Sequence, residues 1–405
     1  MTDPPLQHYQ AYVHRIKKFL LLGGVLHTAS IHPVISYSAA VLATTVSSSM
    51  CLAVLGFCWK NVKDLGKVTK GLSLACSLIA TSLKVLFRAK RLKVAYIMGK
   101  LFDEELKYDS RRFPLLSLRY RFDKMAYIYS FFVGGTLFSY SLPPLISIVK
   151  QHVHRVEPKR YHLPFPAMFP WIIEGGGFLY QIHFLFEIAA CWFLYFTNNG
   201  IDGLFGFYIF HIAALLRTME YQLKNPQMDE NRILLLRSCV KRHKRVMRCR
   251  DIVEDLFGPV IVWLVLTNGI VMCALIFQAF QVCKMTFGSG AHFAFYMFLK
   301  LVQTFMYAWC GSVVTTESEK YLEGLYFSDW LGPNSINMKN ELIVAMLQRP
   351  MTITASKFFF VSVDMFSKVK KLLQFRRSQS YMFHFQTLNT AMSYFFLLQT
   401  LDESG

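Results

Sequence analysis

Long apolar runs alternate with short polar segments along this chain. Seven stretches read as membrane spans: Val34–Trp59, Gly71–Phe87, Met125–Val149, Phe178–Phe196, Phe257–Val282, Ala291–Val314 and a stretch between Phe358 and Leu401. A hydrocarbon core about 30 Å thick takes about 20 helical residues to cross. The second run is short, and Lys84 near its end is expected to snorkel to the interface. Gly206–Lys224 is apolar at first and then amphipathic, so the fourth span is predicted to project beyond the membrane. Asp229–Asp255 mixes Ile, Leu and Val with Arg and Lys at helical spacing. That pattern suits either a solvated helical hairpin or a layer packed against partner subunits. No internal repeat and no low-complexity tract interrupts the pattern, so residues 1–405 read as a single all-α membrane domain.

Composition agrees with this reading. Only 17% of the 405 residues are charged, 54% are hydrophobic and mean hydropathy is +0.32, whereas soluble domains carry about 25% charged residues. The formal charge of +19 could suggest nucleic acid. It lies in the loops, however, where it more often reflects orientation in a membrane. With the N-terminus cytoplasmic, the inner segments hold 28 Lys and Arg and the outer segments 9. This predicts a cytoplasmic N-terminus (residues 1–33), an outer C-terminus, and a seven-helix topology inverted relative to G-protein-coupled receptors. The nine cysteines show no paired spacing in a polar loop, so neither a disulfide framework nor a zinc motif is expected. The polar N-terminus is not a secretory signal. No Gly-rich phosphate loop and no G-x-S-x-G occurs, and His152 and His154 have no third metal ligand. No enzyme, cofactor or metal site is predicted.

The most specific stretches follow the sixth run. They are F-M-Y-A-W-C-G-S-V-V-T-T-E-S-E-K-Y-L-E-G-L-Y-F-S-D-W (Phe305–Trp330) and K-N-E-L-I-V-A-M-L-Q-R-P-M-T-I-T-A-S-K-F-F-F-V-S-V-D-M-F-S-K (Lys339–Lys368). They resemble the insect odorant receptor family. The resemblance rests on an adjacent C-G pair (Cys310, Gly311), a short helix from Ser318 to Tyr326, then Trp330 and Pro350. It continues with an A-G-K-F-like block (Ala355, Lys357, Phe358) and a close on Ser393, Tyr394, Leu397 and Leu398. Leu163–Trp171 resembles that family's second outer loop, and His211–Leu223 the foot of its fourth helix.

The resemblance implies a subunit of a tetrameric, ligand-gated, non-selective cation channel in the dendrite membrane of olfactory neurons. Helices one to six (34–314) would carry the odorant-binding bundle. Residues 315–368 would form a cytoplasmic anchor, and 387–401 the pore end of helix seven. The compact Arg217–Asp255 segment argues for a tuning receptor, partnered by the odorant co-receptor in a heterotetramer and activated by a small volatile odorant or pheromone. A gustatory receptor of the same architecture and a secondary transporter are the alternatives. The gustatory close T-Y-x-x-x-x-x-Q-F does not match, and no inverted repeat supports a transporter.

An odorant cavity should be apolar with one or two orienting polar groups. Span three offers Gly135, Thr136, Phe138, Ser139 and Tyr140, followed by Pro143 and Pro144, which suits either a bent helix that leaves space or a packed kink. Tyr180, His183 and Glu187 share a face of span four. An intramembrane Glu is either functional or a paired buried carboxylate. In span six, Tyr296 and Lys300 share a face, and a Lys300–Glu187 pair is the cheapest arrangement for both charges. For the pore, Tyr394, Leu397, Leu398 and Leu401 are candidates, with Gln399 at the outer mouth. A ring of such leucines gates by dewetting, although on sequence alone a lipid-facing Leu stripe is the better reading.

The last run contains an anomaly. Phe358–Leu401 would make a helix of about 66 Å at ~1.5 Å per residue, with Lys370, Lys371, Arg376 and Arg377 in its middle. Residues 369–386 read as an atypical insert relative to the family. One reading is a retained intron. Val369–Lys370 is necessarily encoded with a leading GT, and Phe385–Gln386 is compatible with TTTCAG. The other reading is a tolerated insertion, with Lys368–Arg377 as a basic elbow and Ser378–Leu401 as the pore helix.

Overall fold

The computed structural model describes residues 4–24, 33–90, 115–154, 161–171, 177–225, 232–281, 287–328, 340, 343–356 and 359–362. Seven helices account for most of them: α1 (Pro4–Leu22), α2 (Pro33–Lys60), α3 (Leu65–Lys90), α4 (Leu115–Val153), α5 (Phe178–Lys224), α6 (Arg232–Gln281) and α7 (Phe287–Tyr326). Among the described residues, α2 to α7 are the six helices long and apolar enough to cross a membrane. They coincide with the first six predicted runs. The expected seventh span, with its pore residues Tyr394, Leu397, Leu398, Gln399 and Leu401 and the insert at 369–386, lies outside the described residues.

Four helices, α4 to α7, are far longer than a bilayer requires. At ~1.5 Å per residue, the 47 residues of α5 extend about 70 Å and the 50 of α6 about 75 Å. The projecting fourth helix matches expectation. The helix expected over Asp229–Asp255 is present from Arg232 onward; it does not stop at Asp255 but runs on as α6, with Pro259 inside. Likewise Ser318–Tyr326 is no separate helix but the last turns of α7. In both places side chains change from apolar to charged while the backbone continues, because one helix leaves lipid without ending.

The central element is α5, nearly all of whose membrane window is buried. Its lower half, from Asn199 to Ala214, is buried almost without break, and it packs against α4, α6, α7 and α1. Gly206 makes the α4 contact possible: a Cβ there would overlap the ring of Phe122. The helix α1 was not anticipated. Its Tyr12, Ile16 and Leu20, four residues apart, form one buried stripe against α5, and the Tyr12 hydroxyl donates to the Gly203 carbonyl at 3.0 Å.

The two-residue strands β1 (Thr354–Ala355) and β2 (Phe359–Phe360) pair antiparallel, Thr354 opposite Phe360 and Ala355 opposite Phe359. This small hairpin is clamped onto α6 and α7. Glu254 accepts from the Thr354 backbone N–H (2.5 Å) and hydroxyl (2.9 Å). The Ser318 hydroxyl accepts from the Met351 N–H at 2.8 Å. The Val361 carbonyl lies where a Cβ on residue 311 would go, so only glycine fits at Gly311. Met351, Ile353, Ala355 and Val361 join the main core. Several motif residues after the sixth span thus have a packing reason of their own.

Candidate ligand cavity

Helices α3 to α7 enclose a cavity of about 60 Å³. Its walls are mostly apolar, from Leu74, Val133, Leu137, Leu194, Leu264 and Leu299. Polar groups reach it from Ser77, Thr136, Asn198, Thr267 and Asn268, as do the phenols Tyr129, Tyr140 and Tyr296. Two lysines, Lys84 and Lys300, and Gln303 complete the lining. The Tyr296 hydroxyl is fixed by Ser77 Oγ and the Ser73 carbonyl, each at 2.8 Å.

One wall of the cavity rests on Asp202 of α5, which is fully buried and accepts four hydrogen bonds. Lys84 Nζ (2.6 Å) and the Tyr307 hydroxyl (2.7 Å) reach Oδ1. The Tyr129 hydroxyl (2.6 Å) and Gln303 Nε2 (2.9 Å) reach Oδ2. Lys84 also donates to Asn198 Oδ1 at 2.8 Å. This cluster joins α3, α4, α5 and α7. Lys84, at 2% exposure, therefore does not snorkel: a saturated carboxylate on the neighbouring helix offsets its desolvation. A signal for it existed in the sequence, an Asp in the short polar stretch N-N-G-I-D-G between the apolar runs ending at Phe196 and beginning at Gly206.

Of the predicted ligand residues, Thr136, Tyr140, Tyr296 and Lys300 line the cavity. Ser139 shares a 2.6 Å hydrogen bond with His292 Nδ1, and the His292 ring packs edge-on against Tyr140 at 4.2 Å, beside the cavity wall. Gly135 faces the Phe295 ring. Phe138 points outward, 67% exposed.

Tyr180, His183 and Glu187 do share a face, but that face holds the segment 161–171 instead. The Tyr180 hydroxyl donates to the His162 carbonyl (2.9 Å), Trp171 Nε1 donates to His183 Nε2 (2.8 Å), and the Phe165 N–H donates to Glu187 Oε2 (2.8 Å). Phe165 in turn packs against Tyr140, ring centroids 5.3 Å apart. The expected Lys300–Glu187 pair does not form. Glu187 accepts from backbone through Oε2 alone, its buried Oε1 having no hydrogen-bond partner among the described residues, and Lys300 lies 5.6 Å from the centroid of the Tyr296 ring. No metal-binding group of His, Cys, Asp and Glu occurs among the described residues.

The profile of the family described as 7tm odorant receptor matches residues 64–373. The chain belongs to that family. The odorant receptor co-receptor of Anopheles gambiae is 27% identical to this odorant receptor family member over 168 residues, 40% of this chain and 35% of its own length. Odorant receptor 47a of Drosophila melanogaster is 21% identical over 221 residues, 51% of this chain and 55% of its own. The chain thus spans about a third to a half of the curated relatives it matches. The fold is that of the insect olfactory receptor OR5 from Machilis hrabei. The TM-score is 0.72 at 15% identity, covering 98% of this chain and 99% of that one. The same receptor in complex with eugenol gives 0.73 at 16% identity, covering 98% and 100%. This odorant receptor family member is therefore an all-α, multi-pass membrane protein, and its family is one of receptors rather than enzymes.

Proposed function

We propose that this chain is a tuning odorant receptor, one subunit of a ligand-gated, non-selective cation channel formed with the odorant co-receptor. It binds a small volatile odorant or pheromone in the cavity between α3 and α7. The observation that carries this is a mostly apolar cavity with a few fixed polar groups, in a chain of this family. Thr136, Tyr140, Tyr296 and Lys300 contact the ligand, and Leu397 and Leu401 form the gate. An N-terminus on the cytoplasmic side of the dendrite membrane is the orientation that the loop charge supports. Expression with and without an odorant co-receptor tests this. Odorant-evoked cation currents that need the co-receptor are expected, and substrate flux without channel-sized currents would sink the reading.

A second reading has its own support. The family match stops at residue 373, inside the insert 369–386, as it would if a retained intron interrupted helix seven and this were a non-functional splice form. Removing Val369–Gln386 joins Lys368 to Thr387 and shortens the last run to one pass. Genomic DNA with CAA at Gln386, or without an intron boundary at Val369, ends the intron reading.

A further inference from the structure

Two ammonium groups line the cavity, and one carboxylate, Asp202, stands behind its wall. Asp202 is saturated, since its two oxygens already take Lys84, Tyr307, Tyr129 and Gln303, and a carboxylate offers about four acceptor sites. Lys300, one wall over, is 7% exposed. Among the described residues its ammonium has no hydrogen-bond acceptor and no contact ion pair; it lies 5.6 Å from the centroid of the Tyr296 ring and feels Asp202 only at longer range, against the repulsion of Lys84. Glu187, the carboxylate expected to pair with it, accepts instead from the Phe165 backbone through Oε2, its Oε1 having no hydrogen-bond partner among the described residues. A buried cation without a counter-charge in contact is costly, and a ligand that supplies one recovers part of that cost on binding. A second polar group beside it is also unmet. Asn268, 4% exposed and lining the same cavity, gives its Nδ2 to Thr304, while its Oδ1 has no partner.

We propose that the ligand of this cavity is a small monocarboxylate, its head group paired with Lys300 and its short hydrocarbon chain against Leu137, Leu194 and Leu264. The inference rests on the receptor reading above and deepens it by naming the ligand class. Neutral odorants offer Lys300 an acceptor but no charge, so they leave the larger part of the desolvation uncompensated.

Thermal unfolding of the purified full chain in detergent tests this without any ion current, because a ligand that binds only the folded state raises its stability. The probes are pentanoate, pentan-1-ol and methyl pentanoate. Pentanoate should stabilise the protein at concentrations at least tenfold lower than either neutral compound. Lys300→Met should erase that advantage, and Lys300→Arg should keep it. Ligand-free Lys300→Met should melt no lower than the wild type, since the change removes an uncompensated buried charge and roughly conserves volume. Equal stabilisation by the neutral compounds, no stabilisation by pentanoate, or an advantage that survives in Lys300→Met overturns the proposal. So does a lower-melting ligand-free Lys300→Met, which would reveal a partner for Lys300 within the folded chain. Carboxylate-selective stabilisation in a chain that conducts no current with the co-receptor would overturn the channel reading and leave this one standing.

Discussion

Asp202 shows how much a single side chain can organise in a low-dielectric interior. Removing its charge strands Lys84 without a partner, and breaking a buried pair from one side costs about 3–5 kcal/mol. Asp202→Asn should therefore lower the melting temperature sharply, and Lys84→Met combined with Asp202→Leu should recover part of the loss. Additive damage in the double variant would show that the pair is not the source. Ser356 is a smaller case. Its φ of +49° is in the left-handed region, which costs a residue with a side chain roughly 1 kcal/mol, and the resembling motif has Gly there. Ser356→Gly should stabilise by about that amount, and an unchanged denaturation midpoint would refute the strain. Residues four apart on one helix were legible in the sequence: Thr136 with Tyr140, and Tyr296 with Lys300, come to one cavity as their spacing requires. Which charge meets which across helices was not. Spacing along one helix carries no information about the rotation of its neighbour, so Lys84–Asp202 formed where Lys300–Glu187 was expected.

At the scale of elements, the positions of the spans could be read from hydropathy but their ends could not. Side chains along α6 become charged before the membrane is reached, and hydropathy registers the change of solvent as a boundary. The helix α1 was missed for the opposite reason: its buried stripe of Tyr12, Ile16 and Leu20 is too thin to rise above a polar background. The clamp of the hairpin on α7 gives an element-level expectation. Gly311→Ala sets a methyl group against the Val361 carbonyl, and overpacking of this kind costs about 1–3 kcal/mol. The variant should lose protease protection in residues 343–362 before the rest of the chain does. Uniform loss along the chain, or none, would show that the hairpin does not depend on this contact.

For the whole molecule, the charge asymmetry makes an expectation about sidedness. An epitope fused before Met1 should be reached by antibody only after the cell is permeabilised, and labelling of intact cells would reverse the proposed orientation. The long helices bear on the same scale. If α5 and α6 each cross a core of about 30 Å, more than half of each stands outside it, a broad surface for the co-receptor contact proposed above.

The Asp202 cluster also divides α5 like the pivot of a balance. From Phe178 to Asp202 the helix measures about 36 Å, and from Asp202 to Lys224 about 33 Å, at ~1.5 Å per residue. Held at that point by α3, α4 and α7, a stiff α5 has two nearly equal arms. An ångström of tilt at the end beside segment 161–171 then becomes about an ångström, opposite in sense, at the far end. Spin labels at Leu185 and Tyr221 should report opposed displacements when ligand is added. Movement at Leu185 alone would mean that the helix bends and the pivot transmits nothing.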